Sequence, residues 1–224
     1  MARLARVVVP GLPHHLTQRG TRRQEIFFSD QDRRAYLELV GAAAERFGVT
    51  IWAWCLMPNH VHFVARPAAE ESLALCFGQA HTRYSRMINF RQGWRGFLFQ
   101  GRFASSPMDW AHAYHAVRYV LRNPVRAGLV RLPWDYAWSS AAFQVGEKET
   151  DPLAKRDGRL EEMVGDWRKY LCETEEDEEL LALRRETHVG RPLGKGEFLR
   201  KLEARLDRRL LRRRPGRPPR ERNR

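Results

Sequence analysis

The chain has 224 residues, 43% of them hydrophobic, so it can bury the core of one good-sized domain with extensions, or of two small domains. Its 40 Lys and Arg against 27 Asp and Glu give a formal net charge of +13, which favours a polyanionic partner such as nucleic acid. Three cysteines without a CxxC pair exclude a disulfide framework and a cysteine-rich zinc site. With no signal-peptide pattern and no stretch apolar enough to span a bilayer, we expect a cytoplasmic protein.

The first elements alternate between strand and helix. The segment HHLTQRG (14–20) predicts a strand, and Ser29 with Asp32 has the pattern of a capping box that opens a helix. Apolar residues then recur at helical spacing until Gly48 ends the helix. The β-forming run VTIWAWCL (49–56) predicts the second strand.

The next elements continue this alternation. After a Pro-Asn turn, HVHFVAR (60–66) predicts the returning strand, and residues 71–90 have the apolar stripe of a long amphipathic helix. The segment GFLFQGRFA (96–104) predicts a fourth strand. Asp109 can cap a third helix that reaches about Asn123.

The order β-α-β-β-α-β-α predicts an α+β fold. Its first six elements match the ferredoxin-like split βαβ arrangement, an antiparallel sheet with two helices on one face. After residue 145 the sequence becomes charged and mostly helical in pattern. We therefore predict three parts: a domain in 1–145, a mostly helical charged extension in 146–207, and a flexible tail in 208–224 with nine Arg and one Glu.

Two histidines flank one apolar residue at the start of the third strand, in MPNHVHFVA (57–65). Residues i and i+2 of a strand point to the same face, so His60 and His62 can both reach one cation while Val61 is buried behind them. An HxH pattern also arises by chance, with one histidine hydrogen-bonded in the structure and the other exposed. The pair alone leaves both interpretations open.

The third predicted helix, DWAHAYHAVRYVLRN, carries an apolar face and a separate polar row. Tyr119 lies well away from the apolar stripe, and Asn123 follows it by one helical turn, so the phenol and the amide project side by side. Tyr119 is also compatible with an amphipathic tyrosine at the edge of a core, and Asn123 before Pro124 with a helix N-cap. The polar row comprises His112, His115, Tyr119 and Asn123.

Together these motifs resemble the HUH single-strand endonucleases with one catalytic tyrosine. More narrowly, they resemble the IS200/IS605-type transposases and, within them, the REP-associated tyrosine transposases. The resemblance covers roughly residues 5–145. It rests on MPNHVHFV, YVLRNPVRAGLV, the opening VVPGLPHHLTQRGTRRQEIFF and the segment FQGRF. One departure is Asn123, at a position where the insertion-sequence transposases typically carry glutamine.

The resemblance implies a transposase whose catalytic domain is residues 1–145. Tyr119 would cleave single-stranded DNA by attack on phosphorus, leaving a 5′-phosphotyrosine link and a free 3′-OH. His60 and His62, with Asn123 as third ligand, would hold a divalent metal, Mg²⁺ or Mn²⁺. A second 3′-OH could then attack the link, so that strand transfer would need no ATP.

The same resemblance implies the partners and the location. The substrates would be palindromic repeats that fold as hairpin DNA, in a bacterial, nucleoid-associated protein. The insertion-sequence relatives usually act as homodimers in which a tyrosine helix serves the partner's histidines. The long extension here could instead keep a monomer self-sufficient, so the oligomeric state stays open.

Arginines and two tryptophans are candidates for contact with DNA. Trp94 and Trp110 could stack on bases between the arginines. The segment PGRPPR, with Arg217, resembles the core of a minor-groove AT-hook, although a nonspecific polybasic tail fits equally well. The other candidate residues are Arg22, Arg23, Arg83, Arg86, Arg118 and Arg122.

Two other functions fit the same scaffold: a DNA-binding protein that recognises hairpins without cutting, and a replication initiator or relaxase of the wider HUH class. The intact HVH motif and Tyr119 favour the transposase over the first, and the absence of a GxxxxGK[ST] motif argues against the second. Tyr114 is the rival nucleophile, but it lies toward the apolar side of its helix. His14 and His15 face opposite sides of the first strand, and neither receives a role.

Overall fold

A four-stranded antiparallel sheet forms the centre of this computed structural model, which describes residues 6–173 and 177–210, the side chains of 177–180 excepted. The strand order is β2-β3-β1-β4, which is the predicted ferredoxin-like split arrangement. The strands are β1 (His14–Arg19), β2 (Val49–Met57), β3 (His60–Pro67) and β4 (Ala104–Pro107).

Helices cover both faces of the sheet. Helices α1 (Asp30–Arg46) and α2 (Ser72–Gln92) pack on each other and on one face, as predicted, and α3 (Trp110–Leu121) packs on the other. No helix in the described part of the chain is both long and apolar enough to cross a bilayer. The remaining helices are α4 (Asn123–Arg126), α5 (Ala141–Gln144), α6 (Gly158–Val164), α7 (Trp167–Cys172), α8 (Asp177–Val189) and α9 (Gly196–Leu206).

The alternation of side chains along β3 separates the two faces. Val61, Phe63 and Ala65 enter the core under α1 and α2. His60 and His62 belong to the opposite set, because successive residues of a strand point to opposite faces. The histidines therefore face the side of the sheet that α3 covers.

The fourth strand is shorter and later than the sequence pattern predicted. Regular pairing of β1 with β4 begins at Ala104, so the predicted strand over 96–104 overlaps β4 only at its last residue, although Phe99 makes an isolated antiparallel bridge to Gly20. Gly96 and Gly101 have φ of 96° and 70°, which turn the chain out of an extended path. The apolar run Phe97, Leu98 and Phe99 has the composition of a strand, but in the structure Phe97 is exposed while Leu98 and Phe99 are buried.

The extension packs on the outer side of α3. Leu160, Trp167, Tyr170 and Leu183 from α6, α7 and α8 join the hydrophobic cluster that contains the buried face of α3. The packed part continues to Leu210, which lies inside the predicted flexible tail but is buried against other apolar residues. Residues 211–224, which include Arg217, lie outside the described residues.

The predicted capping box at the start of α1 is confirmed and is tied to α2. The Asp32 side chain accepts hydrogen bonds from the Ser29 and Phe28 amides, at 3.1 and 2.8 Å, and from the Arg91 guanidinium at 2.8 Å. Burial by itself would raise the pKa of Asp32, but the hydrogen bonds from Arg91 and the backbone outweigh it and lower that pKa. Asp32 thus links the N-terminus of α1 to the C-terminal end of α2.

Asp32→Ala is expected to lower the free energy of unfolding by about 2–3 kcal/mol, since it removes the carboxylate that accepts from the Ser29 and Phe28 amides and from Arg91, although the bond from the backbone amide of residue 32 to the Ser29 hydroxyl is kept. Chemical denaturation would measure the change. Asp30→Ala is the matched control, because Asp30 is 61% exposed and its ion pair with Arg33 is at the surface; its effect should stay below about 0.5 kcal/mol. Equal losses in the two variants would contradict a structural role specific to Asp32.

Candidate active site

A cleft of about 1190 Å³ opens on the face of the sheet that α3 covers. It brings together four residues that the sequence singled out, His60, His62, Tyr119 and Asn123. The first two come from β3, Tyr119 from α3 and Asn123 from the start of α4. The tertiary structure thus joins motifs that lie about sixty residues apart in the chain.

Both β3 histidines use their Nδ1 atoms in hydrogen bonds within the described residues. The Nδ1–H of His60 donates to the Asn59 side-chain oxygen at 2.7 Å, and Nδ1 of His62 is hydrogen-bonded to Nε2 of His15 at 3.0 Å. Their ring centroids lie 5.0 Å apart. Among the described residues no hydrogen bond reaches Nε2 of His60 or His62, so these atoms are the ones available to a cation in the cleft.

Both β3 histidines are held in the neutral form. Burial lowers the pKa of His60 to about 4, and the charges of Arg19 and Arg184 contribute to this decrease. Burial, followed by the neighbouring His60 and His15, lowers the pKa of His62 well below its usual value. A neutral imidazole is the form that binds a metal ion.

The amide oxygen of Asn123 is left to face the cleft, because the amide nitrogen donates hydrogen bonds to the backbone of α3. That nitrogen donates to the carbonyl oxygens of Tyr119 at 3.1 Å and Val120 at 3.4 Å. The side chain therefore closes the last turn of α3 and does not act as the N-cap of α4, which was the alternative that the sequence allowed. Its oxygen accepts no hydrogen bond within the described residues.

These donors fit a divalent ion. Among the side chains that the structure describes, no group of three or more His, Cys, Asp or Glu lies close enough together to hold a metal ion. The candidate ligands are therefore two imidazole nitrogens and one amide oxygen, a set that Mg²⁺ and Mn²⁺ accept when water or phosphate oxygens complete the shell. The metal itself stays a prediction.

Tyr119 meets the histidines from the opposite wall of the cleft. Its side chain is 4% exposed, and its ring stands edge-on to the rings of His62 and His15, at centroid distances of 5.4 and 5.5 Å. The sequence placed Tyr119 in a polar row away from the apolar stripe of α3, whereas the structure buries its ring beside a hydrophobic cluster. The ring is covered because α8 of the extension packs beside it.

Two arginines hold the ring of Tyr119. Nε of Arg184, from α8, donates to the phenol oxygen at 3.2 Å. The guanidinium of Arg126 lies 4.2 Å from the ring centroid. Together these contacts fix the orientation of the phenol and place positive charge beside its oxygen.

The cleft is strongly positive. Among the described residues that line it there is no Asp or Glu. Such a surface attracts phosphates. Because the described lining offers a metal ion no carboxylate, the positive charge of that ion would be balanced by a bound anion. The lining arginines are Arg19, Arg22, Arg23, Arg102, Arg126 and Arg184.

The predicted DNA-contacting arginines within the described residues fall into three groups: those that line the cleft, those on α2, and those that contact the extension. Arg22 and Arg23 line the cleft and are exposed, whereas Arg83 and Arg86 are exposed on α2, on the other side of the sheet. Arg118 is 7% exposed and pairs with Glu173 at 2.9 Å, so it is not placed to contact DNA.

Other predicted contacts face away from the cleft. Arg122 donates to the Leu171 carbonyl in the extension at 2.9 Å, and Trp110 stacks on Trp52. Arg122 is used for packing because the extension covers its side of α3, whereas Trp110 packs on a tryptophan of β2; the pattern of one helix shows neither contact.

The rival groups on α3 do not line the cleft. The ring of Tyr114 packs against Tyr170 of the extension at a centroid distance of 4.5 Å. His115 packs edge-on against Tyr114 and is absent from the described lining of the cleft. The geometry therefore favours Tyr119 over Tyr114 as the reactive phenol.

Several residues of the site carry no clear signal in the sequence. His15 received no role, yet it is the one of the two β1 histidines that reaches the cleft. His15, Thr17 and Arg19 follow one another at intervals of two residues along β1, and all three line the cleft. This period-two pattern could have identified His15 from the sequence. Thr187 and Arg184 come from α8, and no local motif connects them to the histidines.

Comparison with protein families identifies the chain. The family model "Transposase IS200 like" matches residues 8–123, which include both β3 histidines, Tyr119 and Asn123. The chain belongs to the IS200-like transposase family. The family assignment that the sequence motifs predicted is thereby confirmed, and with it the coarse activity of a transposase.

The fold of this transposase also matches a solved structure. A structure of the REP-associated tyrosine transposase bound to a REP hairpin aligns with a TM-score of 0.56 and 17% identity, covering 70% of this chain and 93% of that one. A Deinococcus radiodurans R1 protein, provisionally assigned as a transposase, covers 53% of this chain and 95% of that one. Its identity is 17% and its TM-score of 0.38 is too low to indicate a shared overall fold. No curated protein sequence matches the transposase.

Proposed function

We propose that this transposase is a metal-dependent single-stranded DNA endonuclease and strand transferase that acts on hairpin DNA through a 5′-phosphotyrosine intermediate. One observation carries the proposal: the phenol of Tyr119 stands beside the ring of His62, which is neutral, in an arginine-lined cleft. A nucleophile, two nitrogen donors and a phosphate-attracting surface are the groups that such a transfer requires.

The chemical step uses the phenol oxygen of Tyr119. It forms a bond to the scissile phosphorus while the bond from phosphorus to the 3′ oxygen breaks. The phenol proton passes to solvent, and the leaving 3′ oxygen takes up a proton. Attack by another 3′-OH on the phosphotyrosine reverses these bond changes and joins two strands, so no external energy source is needed.

The residues around the phenol prepare this step. Arg184 directs its Nε–H toward the phenol oxygen and favours the negative charge that develops there. A divalent ion held by His60, His62 and Asn123 would polarise the scissile phosphate and offset the charge on its oxygens. Because the ion's ligands here carry no negative charge, we expect DNA phosphate to strengthen metal binding.

The proposed DNA partner is a palindromic repeat folded as a hairpin with single-stranded DNA beside it. Support comes from the similar fold of the transposase that binds a REP hairpin and from the six arginines of the cleft. Arg22 and Arg23 are placed at the cleft and exposed, so they are the predicted contacts to the DNA backbone.

The active unit is proposed to be one chain. Tyr119 contacts the histidines of its own chain, so the site needs no tyrosine helix from a partner. The extension supports this arrangement because α8 supplies Arg184 to the phenol. A homodimer, if formed, would not be required to complete the site.

Covalent capture of DNA tests the proposal. The purified protein is mixed with single-stranded DNA that is labelled at its 3′ end and carries a palindromic repeat from the protein's own genome, with Mn²⁺ or Mg²⁺ or with EDTA. We expect labelled protein on denaturing gels with either metal and none with EDTA. Tight hairpin binding without any adduct would instead favour a non-cleaving DNA-binding protein.

Arg184→Ala is expected to slow adduct formation by about 10–100-fold, since it removes the donor to the phenol oxygen. The rate is measured in single turnover on the same labelled DNA. Arg185→Ala is the matched control, because the neighbouring guanidinium pairs with Glu186 and does not line the cleft. If both variants slow the reaction equally, Arg184 contributes only to the general positive charge of α8.

A further inference from the structure

A chain of hydrogen bonds runs from the extension to the His62 ring. Oγ1 of Thr187, on α8, is hydrogen-bonded to Nδ1 of His15 at 2.8 Å, and Nε2 of His15 to Nδ1 of His62 at 3.0 Å. All three side chains are nearly inaccessible, with exposures of 1% for Thr187, 1% for His15 and 5% for His62. The rings of His15 and His62 are stacked, with an interplanar angle of 9°.

Proton positions along this chain are linked. The bond between Nε2 of His15 and Nδ1 of His62 holds one hydrogen. Whichever of the two nitrogens carries that hydrogen is the donor, and the other is the acceptor. When Nε2 of His62 binds a cation, its Nδ1–H donates to Nε2 of His15. His15 then carries its hydrogen on Nδ1 and donates it to the hydroxyl oxygen of Thr187.

We propose that His15 and Thr187 are positioning residues for metal binding by His62. They fix the orientation of its ring and stabilise the tautomer whose Nε2 lone pair faces the cleft. This inference rests on the proposed metal site, and it explains why a threonine of the extension is buried beside the sheet. The extension is therefore a structural part of the proposed metal site.

Metal affinity measures this role without any dependence on catalysis. Mn²⁺ binding to DNA-free protein is followed by the decrease of the free-ion electron paramagnetic resonance signal. His15→Phe and Thr187→Val should weaken binding by about 10–100-fold, as happens when a metal-binding histidine loses the hydrogen bonds that orient its ring. Thr187→Ser keeps the hydroxyl and should restore affinity to within about threefold of the wild type.

His14→Phe controls for destabilisation. His14 is also fully buried on β1, but its Nε2 accepts from the Val9 amide at 3.2 Å and it does not line the cleft. Its replacement should leave Mn²⁺ affinity unchanged even if it lowers the melting temperature as much as His15→Phe does. Wild-type affinity in His15→Phe and Thr187→Val would overturn the positioning role.

Nitrogen-15 NMR of the imidazoles separates this inference from the proposed function. With Zn²⁺ as a diamagnetic probe, His62 and His15 should both be protonated at Nδ1, and Thr187→Val should broaden or shift the His15 signals. A wild-type protein that binds neither Mn²⁺ nor Zn²⁺ would contradict the metal site itself. A metal-bound His62 whose Nδ1 is independent of His15 would contradict only the positioning role.

A second inference comes from exposed aromatic rings at the C-terminal end of α2 and in the loop after it. Phe90 is 91% exposed and Phe97 87% exposed, and Trp94 is exposed beside Phe28, with ring centroids 5.6 Å apart. We define Phe28, Phe90, Trp94 and Phe97 as the aromatic platform. These rings contribute little to the core, so their exposure calls for another explanation.

The backbone under the platform is anchored to the rim of the cleft. The Asn89 side chain donates to the Gly96 carbonyl at 2.8 Å, which ties the end of α2 to the loop that carries Phe97. The Thr21 hydroxyl donates to the Phe97 carbonyl at 2.9 Å, directly before Arg22 and Arg23 of the cleft. The loop that carries Phe97 therefore lies beside the segment that brings Arg22 and Arg23 to the cleft.

Charge identifies the partner of the platform. Residues 82–102 hold three of the four platform rings and contain five Arg, of which Arg91 pairs with Asp32, and no Asp or Glu. Aromatic rings interleaved with arginines are suited to the stacked bases and phosphates of single-stranded DNA. A symmetric contact with a second copy would instead bring like charges together. We infer that unpaired bases beside the hairpin stack on the aromatic platform, an inference that rests on the proposed DNA partner.

Binding of two matched DNAs tests the platform. In EDTA, Phe90→Ala/Phe97→Ala should weaken binding of a hairpin with a single-stranded extension by about 10–100-fold and leave binding of the bare hairpin unchanged. Leu75→Ala, at a 45% exposed position of α2, is the control. Equal affinities for the extended hairpin, or a change only in oligomeric state, would overturn the inference. No binding of either DNA by the wild type would contradict the proposed partner instead.

Discussion

Tyr119→Phe is expected to abolish the covalent protein–DNA adduct, with a loss of at least about 10³-fold in the rate of its formation. The substitution removes only the phenol oxygen, to which Arg184 donates, and keeps the ring that lies edge-on to His15 and His62. Labelled DNA on denaturing gels gives the amount of adduct. Hairpin affinity should change little, because the cleft keeps all of its arginines.

Tyr114→Phe is the internal control for this result. Tyr114 is on the same helix, but it packs against Tyr170 and lies outside the described lining of the cleft. The variant should keep the adduct within about threefold of the wild type, since no reacting group is removed. An adduct that survives Tyr119→Phe and disappears in Tyr114→Phe would overturn the assignment of the nucleophile.

Mixing two inactive variants should restore no cleavage. Tyr119→Phe has intact histidines and His62→Ala an intact tyrosine, so a site shared between chains would be rebuilt in mixed dimers. In that case about a quarter of all composite sites would be intact after random exchange. The contact between Tyr119 and His62 within one chain predicts none.

The mixture is measured with the same adduct assay after a cycle that allows subunits to exchange, and each variant alone sets the background. A signal near a quarter of the wild-type level would show that the tyrosine helix serves a partner. Because the two variants have different defects, recovered activity could not come from either protein alone. The experiment therefore distinguishes a self-sufficient chain from a swapped dimer.

Local sequence patterns predicted the fold well where one chemical signal dominates. The capping box at Ser29 and Asp32 and the turn at Pro58-Asn59 were predicted from side-chain chemistry that acts within a few residues. The fourth strand was misplaced because its pairing partner decides where it begins. Pairing with β1 starts at Ala104, beyond two glycines with positive φ that a hydrophobicity pattern does not detect.

The candidate site was predicted in part. Period-two alternation placed His60 and His62 on one face, and the family motifs pointed to Tyr119 and Asn123. The orienting partners His15, Thr187 and Arg184 were missed, since each is brought to the site by an element far away in the chain. Arg118 was predicted at the DNA but pairs with Glu173, because the extension covers its side of α3.

The sequence by itself determined the strand and helix alternation, the HVH motif and the excess of arginine, all of which depend on spacing and composition. Only the tertiary structure decided which side of α3 is covered, which of two adjacent histidines enters the cleft, and which arginines remain exposed. The physical reason is that burial and hydrogen-bond partners depend on packing between distant segments. Helix α8 illustrates this, because it meets β1 and α3 only after the chain has folded.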